Sequence, residues 1–341
     1  MGRNLATAIE FLGHQPIFIT SLARDNLGSF ALAELLRDGF PPDRLKISWL
    51  RNGQDGSIGH TDDKPSSCFA LVLIDSLDGQ CECVIANLAA NKGITRKVIE
   101  ENSSLIEGSP LVVIDANLAN EATESIIYLC HQAHVPIFIE PTDVAAIPNL
   151  VECLKRVRGQ NRDSLNSLLC MSPNLIELRK LVELFKNDTK HSNHRQNKAL
   201  SIEDTRELAL ELMLTHLPEL KCLLVTMDER GVMVAVRSAS DPSIQVDQLK
   251  LLKYGPEFYD SDVTVKHFQV DTKIDRPVSA SGAGDSFASG FISALLSYSN
   301  LADCVSKGLE AALLALQDHD TISNKLRLLK GINGASKGGK P

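Results

Sequence analysis

Five short runs of this chain are apolar almost without a break: PIFITS (Pro16 to Ser21), LVVIDAN (Leu111 to Asn117), PIFIEP (Pro136 to Pro141), LLCMSPN (Leu168 to Asn174) and CLLVTM (Cys222 to Met227). A strand with one face in water alternates apolar and polar residues, whereas a strand apolar on both faces must be covered on both. Longer segments with helical periodicity separate the runs, among them Asn120 to His131, Asn174 to Phe185 and Ile202 to Thr215. Their alternation predicts an α/β chain: a three-layer α/β/α, doubly wound, mostly parallel sheet. With 341 residues and 43% apolar content, the chain has enough material to fill such a core.

Two regions break the rhythm. CFALVLIDSLDGQCECVIAN, Cys68 to Asn87, reads as two strands joined by a turn at Asp78-Gly79. Such an insertion is either a small β lid, about residues 66–90, or an antiparallel edge of the main sheet. KNDTKHSNHRQNK, Lys186 to Lys198, is polar and unpatterned and reads as an exposed loop, with His191 and His194 as solvated residues rather than metal ligands. The expected organisation is one domain over residues 1–330 followed by a frayed tail, 331–341.

Composition excludes several classes. The net charge is −8 with acids and bases interspersed, which gives no basic stripe for nucleic acid. The eight cysteines include no CxxC pair and read as reduced thiols. No apolar run has membrane-spanning length, and the N-terminus lacks the plan of a secretory signal. The expectation is a soluble, cytoplasmic protein.

Chemistry concentrates in VSASGAGDSFASGF, Val278 to Phe291. Phe287, Phe291, Ile292, Leu295 and Leu296 share one helical face, so Gly282, Ala283 and Gly284 fall at a helix N-terminus. Free N–H groups and the helix dipole favour an anion there, and a transferring phosphoryl group is such an anion. An acid beside that cradle has two readings. Asp285 either suits the dipole of the first turn or takes a proton from an attacking hydroxyl.

SGAGDSFASGF resembles the C-terminal signature of the PfkB-type (ribokinase-like) carbohydrate and nucleoside kinases. GRNLATAIEFLGHQPIFITSLARDNLGSFALAELLRDG, at the start, is similar to the N-terminal signature of the same family. Between them SPNLIEL is similar to its Asn-x-x-Glu motif and VTMDERGVMV to its nucleotide-side strand and turn, so the resemblance spans the chain. It implies a kinase using ATP and Mg²⁺ on a small nucleoside or sugar. VIDANL, IEPTDV and SPNLIELRKL are most like the branch that phosphorylates pseudouridine, a C-linked nucleoside, on its 5′-hydroxyl.

The resemblance also implies roles. Asp285 is the general base, and Gly282, Ala283 and Gly284 supply the anion hole. Gly2 and Asn4 face the sugar; Thr226 and Gly231 lie on the nucleotide side. Asn174 and Glu177 hold the water shell of Mg²⁺, or else form a helix cap with a nearby acid. Asp115, Asn117 and Glu140 end two parallel strands, where they are either ligand contacts or ordinary strand-end polar residues.

The sequence departs from the family pattern in four places. Family members begin with a strand and a Gly-Gly pair ahead of the Asn-containing turn, whereas Met1 here directly precedes Gly2-Arg3-Asn4. The expectation is that the first strand is missing, leaving strand edges open, and that the chain is a truncated product or part of a longer fused polypeptide. Asp228 stands where the family usually has Gly, and Ser281 replaces a commoner Thr. Ser279 occupies a position often held by Asp near a monovalent-cation site, which leaves K⁺ dependence unassigned. Two functional readings follow: a kinase, with the hairpin as a route to a homodimer, and a non-catalytic member that binds nucleotide or acts as an interaction protein.

Overall fold

The computed structural model describes residues 1–50, 66–74, 81–186, 200–237, 250–251, 262–270, 274 and 277–330. The Asp78-Gly79 turn, His191, His194, the loop containing them and the tail lie outside the described residues.

The strands are β1 (Phe18–Leu22), β2 (Leu45–Trp49), β3 (Phe69–Ile74), β4 (Cys81–Asn87), β5 (Val112–Asp115), β6 (Ile137–Glu140), β7 (Leu168–Met171), β8 (Cys222–Thr226), β9 (Val232–Arg237) and β10 (Val263–Phe268). Helices α1 (Gly2–Phe11) and α2 (Asn26–Arg37) precede the hairpin. Then come α3 (Arg96–Glu101), α4 (Ser103–Glu107), α5 (Asn120–Gln132), α6 (Ile147–Gln160), α7 (Leu175–Phe185), α8 (Ile202–Glu211), α9 (Ala283–Leu296) and α10 (Leu301–Leu316).

The central sheet runs β10-β9-β8-β7-β6-β5, with β5 to β8 parallel and β9 and β10 antiparallel at one edge. Its strands are apolar throughout because both faces are buried. Ile137, Ile139, Leu223 and Val225 pack with α5 to α8, while Phe138, Cys222 and Leu224 pack with α1, α9 and α10. The three-layer expectation is met.

β1 departs from it. PIFITS was expected to belong to the same sheet, yet β1 pairs in parallel with β2 in a separate two-stranded sheet. No described strand lies between β1 and β5. The hairpin β3-β4 is a third, two-stranded sheet, so among the described residues it is a flap rather than an edge of the main sheet.

Helix α1 holds the β1-β2 unit to the rest. Leu5 and Ile9 enter the cluster built on α9, Ala8, Phe11 and Leu12 pack on Ala311 and Leu326, and Ala6 packs on Leu35 and Phe40. Arg44 adds two hydrogen bonds to Glu10, at 2.7 and 3.0 Å.

The β8-β9 turn explains a departure in the sequence. Asp228 has φ +51 and Gly231 φ +89. Asp is one of the few L-residues that tolerates the left-handed region, through local hydrogen bonding of its short side chain. Gly231 has no such latitude, since a Cβ there would lie 2.1 Å from the Phe268 carbonyl oxygen. Gly231→Ala should lower stability by about 2 kcal/mol or more, read as a lower urea midpoint at unchanged slope.

Candidate active site

The polar residues singled out in the sequence gather at the C-terminal edge of the parallel strands, where open α/β sheets place ligands. Asp115 ends β5, Glu140 ends β6, Asn174 follows β7, and Thr226 ends β8. Thr226 and Asn174 form a parallel bridge, with Thr226 N–H donating to the Pro173 carbonyl at 3.1 Å. The head of α9 reaches the same edge and brings Asp285.

Gly282 caps α9 at φ +85, and a Cβ there would meet the Thr321 carbonyl oxygen at 2.0 Å. Only glycine allows this turn. Gly284 faces open space, with nothing within 4 Å of a Cβ position. The Ala283 N–H is already bonded to the Ala280 carbonyl at 3.3 Å. Among the described residues no acceptor holds the N–H groups of Gly282, Gly284 or Asp285. The open donors are therefore those flanking Ala283.

Asp285 is 5% exposed. Asn4 Nδ2 donates to its Oδ2 at 2.7 Å, while its Oδ1 is buried with no partner among the described residues. Burial pushes the carboxyl up to about 6, assisted by the charge of Asp115 and opposed by the N-terminus and Asn4. A carboxylate with one oxygen held and the other free beside open N–H groups can accept a proton there.

Asn4 thus meets Asp285 across the chain. Gly2 N–H donates to Asp115 Oδ2 at 2.9 Å, and Asp115 Oδ1 accepts from Asn117 N–H at 2.9 Å. The Asp115 carboxylate is therefore engaged with the backbone.

Glu140 is buried and accepts a short hydrogen bond from the Ser172 hydroxyl. Burial holds its carboxyl well above the usual range, and Asp285 and Glu177 reinforce this despite Ser172. Asn174 caps α7 by accepting from Ile176 and Glu177 N–H, both at 2.9 Å, and Glu177 accepts from Asn174 N–H at 2.9 Å. This is a complete capping box. Burial also pushes the Glu177 carboxyl up to about 7, with Asp143 and Asp285 adding to it.

Among the described residues no three His, Cys, Asp or Glu side chains converge as metal ligands. A hydrated Mg²⁺ needs fewer protein ligands, and it fits this edge: oxygen donors are present, and Glu177, Asp143 and Asp285 crowd like charges that a cation relieves. Gly231 stands apart, its contacts being with Phe268 and Gln269, and Ser279 is buried with its hydroxyl accepting from Ser281 N–H at 3.1 Å.

Residues 1–327 match the family described as pfkB family carbohydrate kinase. The chain belongs to that family. It is therefore a phosphotransferase of the sugar and nucleoside kinase class. It is 22% identical to pseudouridine kinase of Arabidopsis thaliana over 96% of this chain and 84% of the relative. It is likewise 22% identical to guanosine-inosine kinase of Exiguobacterium acetylicum, over 91% of this chain and 80% of the relative. Among solved structures, Anopheles gambiae adenosine kinase in complex with P1,P4-di(adenosine-5) tetraphosphate aligns with a TM-score of 0.64 at 16% identity, covering 93% of this chain and 79% of that one. Ribokinase from Thermotoga maritima aligns with a TM-score of 0.60 at 17% identity, covering 96% and 85%. Both share the ribokinase-like fold.

Sequence reasoning missed two residues here. Thr142 is a β-branched residue at φ +74, an uncommon state, and its hydroxyl accepts from Ala116 N–H at 3.2 Å. Nothing in PTD signals that strain. Ser172 lies within LLCMSPN and SPNLIEL with no role of its own in the sequence, yet its hydroxyl is the partner of Glu140.

Because the Asp285 carboxyl rises from 3.8 to about 6 on folding, the folded chain binds that proton more tightly than the unfolded chain. The associated stability is complete below about pH 4 and lost as pH rises through about 6. Asp285→Asn cannot ionise, so above about pH 6 it should be more stable than the parent by up to about 3 kcal/mol. Thermal melts of both proteins across this range measure the difference.

Proposed function

We propose that the chain transfers the γ-phosphoryl group of ATP to the 5′-hydroxyl of pseudouridine or a closely related nucleoside. The observation carrying this reading is the free, buried Oδ1 of Asp285 beside the unbonded N–H groups of Gly282 and Gly284. The similarity to the Arabidopsis thaliana enzyme supports the choice of nucleoside.

In this mechanism the acceptor hydroxyl lies against Asp285 Oδ1 and loses its proton there as its oxygen attacks the γ-phosphorus. The new P–O bond forms while the bond to the β-phosphate oxygen breaks, leaving ADP. Gly282 and Gly284 donate N–H groups to the equatorial oxygens as charge spreads over them. Asn4 holds Oδ2, so that Oδ1 points to the acceptor. Asn174 and Glu177 would hold a hydrated Mg²⁺, which would supply neutralisation of phosphate charge. Thr226 lies on the nucleotide side of this edge. Asp115 holds Gly2 at the head of α1, the helix that presents Asn4, and Asn117 and Glu140 line the nucleoside side.

Incubation with ATP, Mg²⁺ and a nucleoside panel tests the reading. Phosphorylated pseudouridine is expected, and folded protein that transfers to no nucleoside or sugar overturns it. The rate should fall below about pH 6 as Asp285 protonates. Asp285→Asn should lower kcat by at least about 10²-fold while leaving ATP binding by calorimetry nearly unchanged.

The hairpin supports a partner reading. Phe69, Leu71, Leu73 and Ile85 share one face and are 43–54% exposed, a contiguous apolar stripe. We take this stripe as the contact in a homodimer formed lid to lid. Sedimentation should give a dimer for the parent and a monomer for Leu71→Arg; a monomeric parent at micromolar concentration counts against the stripe as an interface.

A further inference from the structure

Four described residues other than glycine have positive φ: His134, Thr142, Asp228 and Tyr298. Thr142, at φ +74, is the β-branched one among them. Branching at Cβ makes this region costly, and Gly, Asn or Asp is its usual occupant. Thr142 also stands two residues beyond Glu140, at the edge where the candidate site lies.

The hydrogen bonds around it define the turn. Asp143 N–H donates to the Pro141 carbonyl at 2.9 Å, so the bond closes around Thr142 alone. An i to i+2 bond around a residue near φ +75 is the rare, strained form of the γ-turn. Past the apex, Asp143 Oδ1 accepts from Ala145 and Ala146 N–H at 2.6 and 3.1 Å, which leads the chain into α6.

Strain of this kind persists where the surroundings over-determine it, and it gathers at functional sites. The Thr142 hydroxyl is engaged twice. It accepts from Ala116 N–H at 3.2 Å and donates to the Glu140 carbonyl at 3.2 Å. Ala116 N–H donates to that same carbonyl at 3.0 Å. One hydroxyl thus ties the end of β5 to the end of β6. The tied residues are Glu140 itself and Ala116, which lies between Asp115 and Asn117. Glycine would take this turn freely, but it carries no hydroxyl with which to make the tie.

We propose that Thr142 is a positioning residue, whose hydroxyl, presented by the strained turn, sets Asp115, Asn117 and Glu140 as one edge facing the acceptor nucleoside. This rests on the reading of those three residues as the nucleoside side. Thr142 acts through its neighbours and not on the reacting atoms, so its loss is felt in acceptor binding and not in the chemical step.

Three variants separate strain from the tie. Thr142→Ser keeps the hydroxyl, Thr142→Val keeps the branching without it, and Thr142→Gly relieves the turn without it. The expected result is a KM for the acceptor raised at least about fivefold in the Val and Gly variants, with kcat and the KM for ATP within about twofold of the parent. Thr142→Ser should keep the acceptor KM within about twofold of the parent. Thr142→Gly should melt above Thr142→Val, so the KM effect does not follow stability. Amide exchange at Ala116 should quicken in the Val and Gly variants and stay unchanged in Ser. An acceptor KM at the parental value in both Val and Gly overturns the proposal, as does a Ser variant as impaired as Val, or Ala116 exchange equal in all four chains. A parent inert on every acceptor fails the kinase reading and the role of Thr142 with it, whereas an active parent with unmoved variants fails the role of Thr142 alone.

Discussion

Helix α1 is the constraint on which the rest of the arrangement depends. It buries residues in three separate apolar clusters and carries both Gly2 and Asn4 to the edge of the sheet. No strand pairing among the described residues ties the β1-β2 unit to the six-stranded sheet. Side-chain packing of one ten-residue helix and a few hydrogen bonds therefore set where Asn4 meets Asp285. Cores transmit small volume changes because they are close-packed, so the position of Asp285 is sensitive to residues such as Phe11 that lie in the apolar clusters of α1.

The second theme is carboxyl groups kept from ionising easily. Asp285, Glu140 and Glu177 are all buried, and burial is the largest cause of the upward shift in each. Asp285 adds to the shift of both other carboxyls through its charge, and Glu177 adds to that of Glu140. A protein that stacks acids in this way gives up stability at neutral pH for chemistry, a pattern expected where an acid must exchange a proton. The capping box at Asn174 shows that one pair can serve two ends. It satisfies the head of α7 while keeping the Glu177 carboxyl at the sheet edge.

Much of this was legible in the sequence. Continuous apolar runs gave the strands and their two-sided burial, since Ile137 to Glu140 is buried at every position. The GAGD turn gave the head of α9 because the left-handed cap at Gly282 needs glycine. Other parts were hidden because they depend on contacts remote in sequence. Nothing near Asn4 indicates that its amide meets a carboxylate, and nothing near Thr142 marks its strained backbone. The separation of β1 from the main sheet was also hidden in PIFITS itself, because a run of β-prone residues does not name its pairing partner.

The bond between Asn4 and Asp285 spans 281 positions. During vectorial synthesis at about 5–20 residues per second, α1 emerges on the order of half a minute before its partner exists. Until then Ala6 can pack on Leu35 and Phe40, but the faces of α1 that lie against α9, Ala311 and Leu326 have no partner. The closing of that long loop is also slow in principle, because distant contacts are rewarded only after the entropy of joining them is lost. The surroundings of Asp285 are thus complete only once α9 has been made and docks against α1.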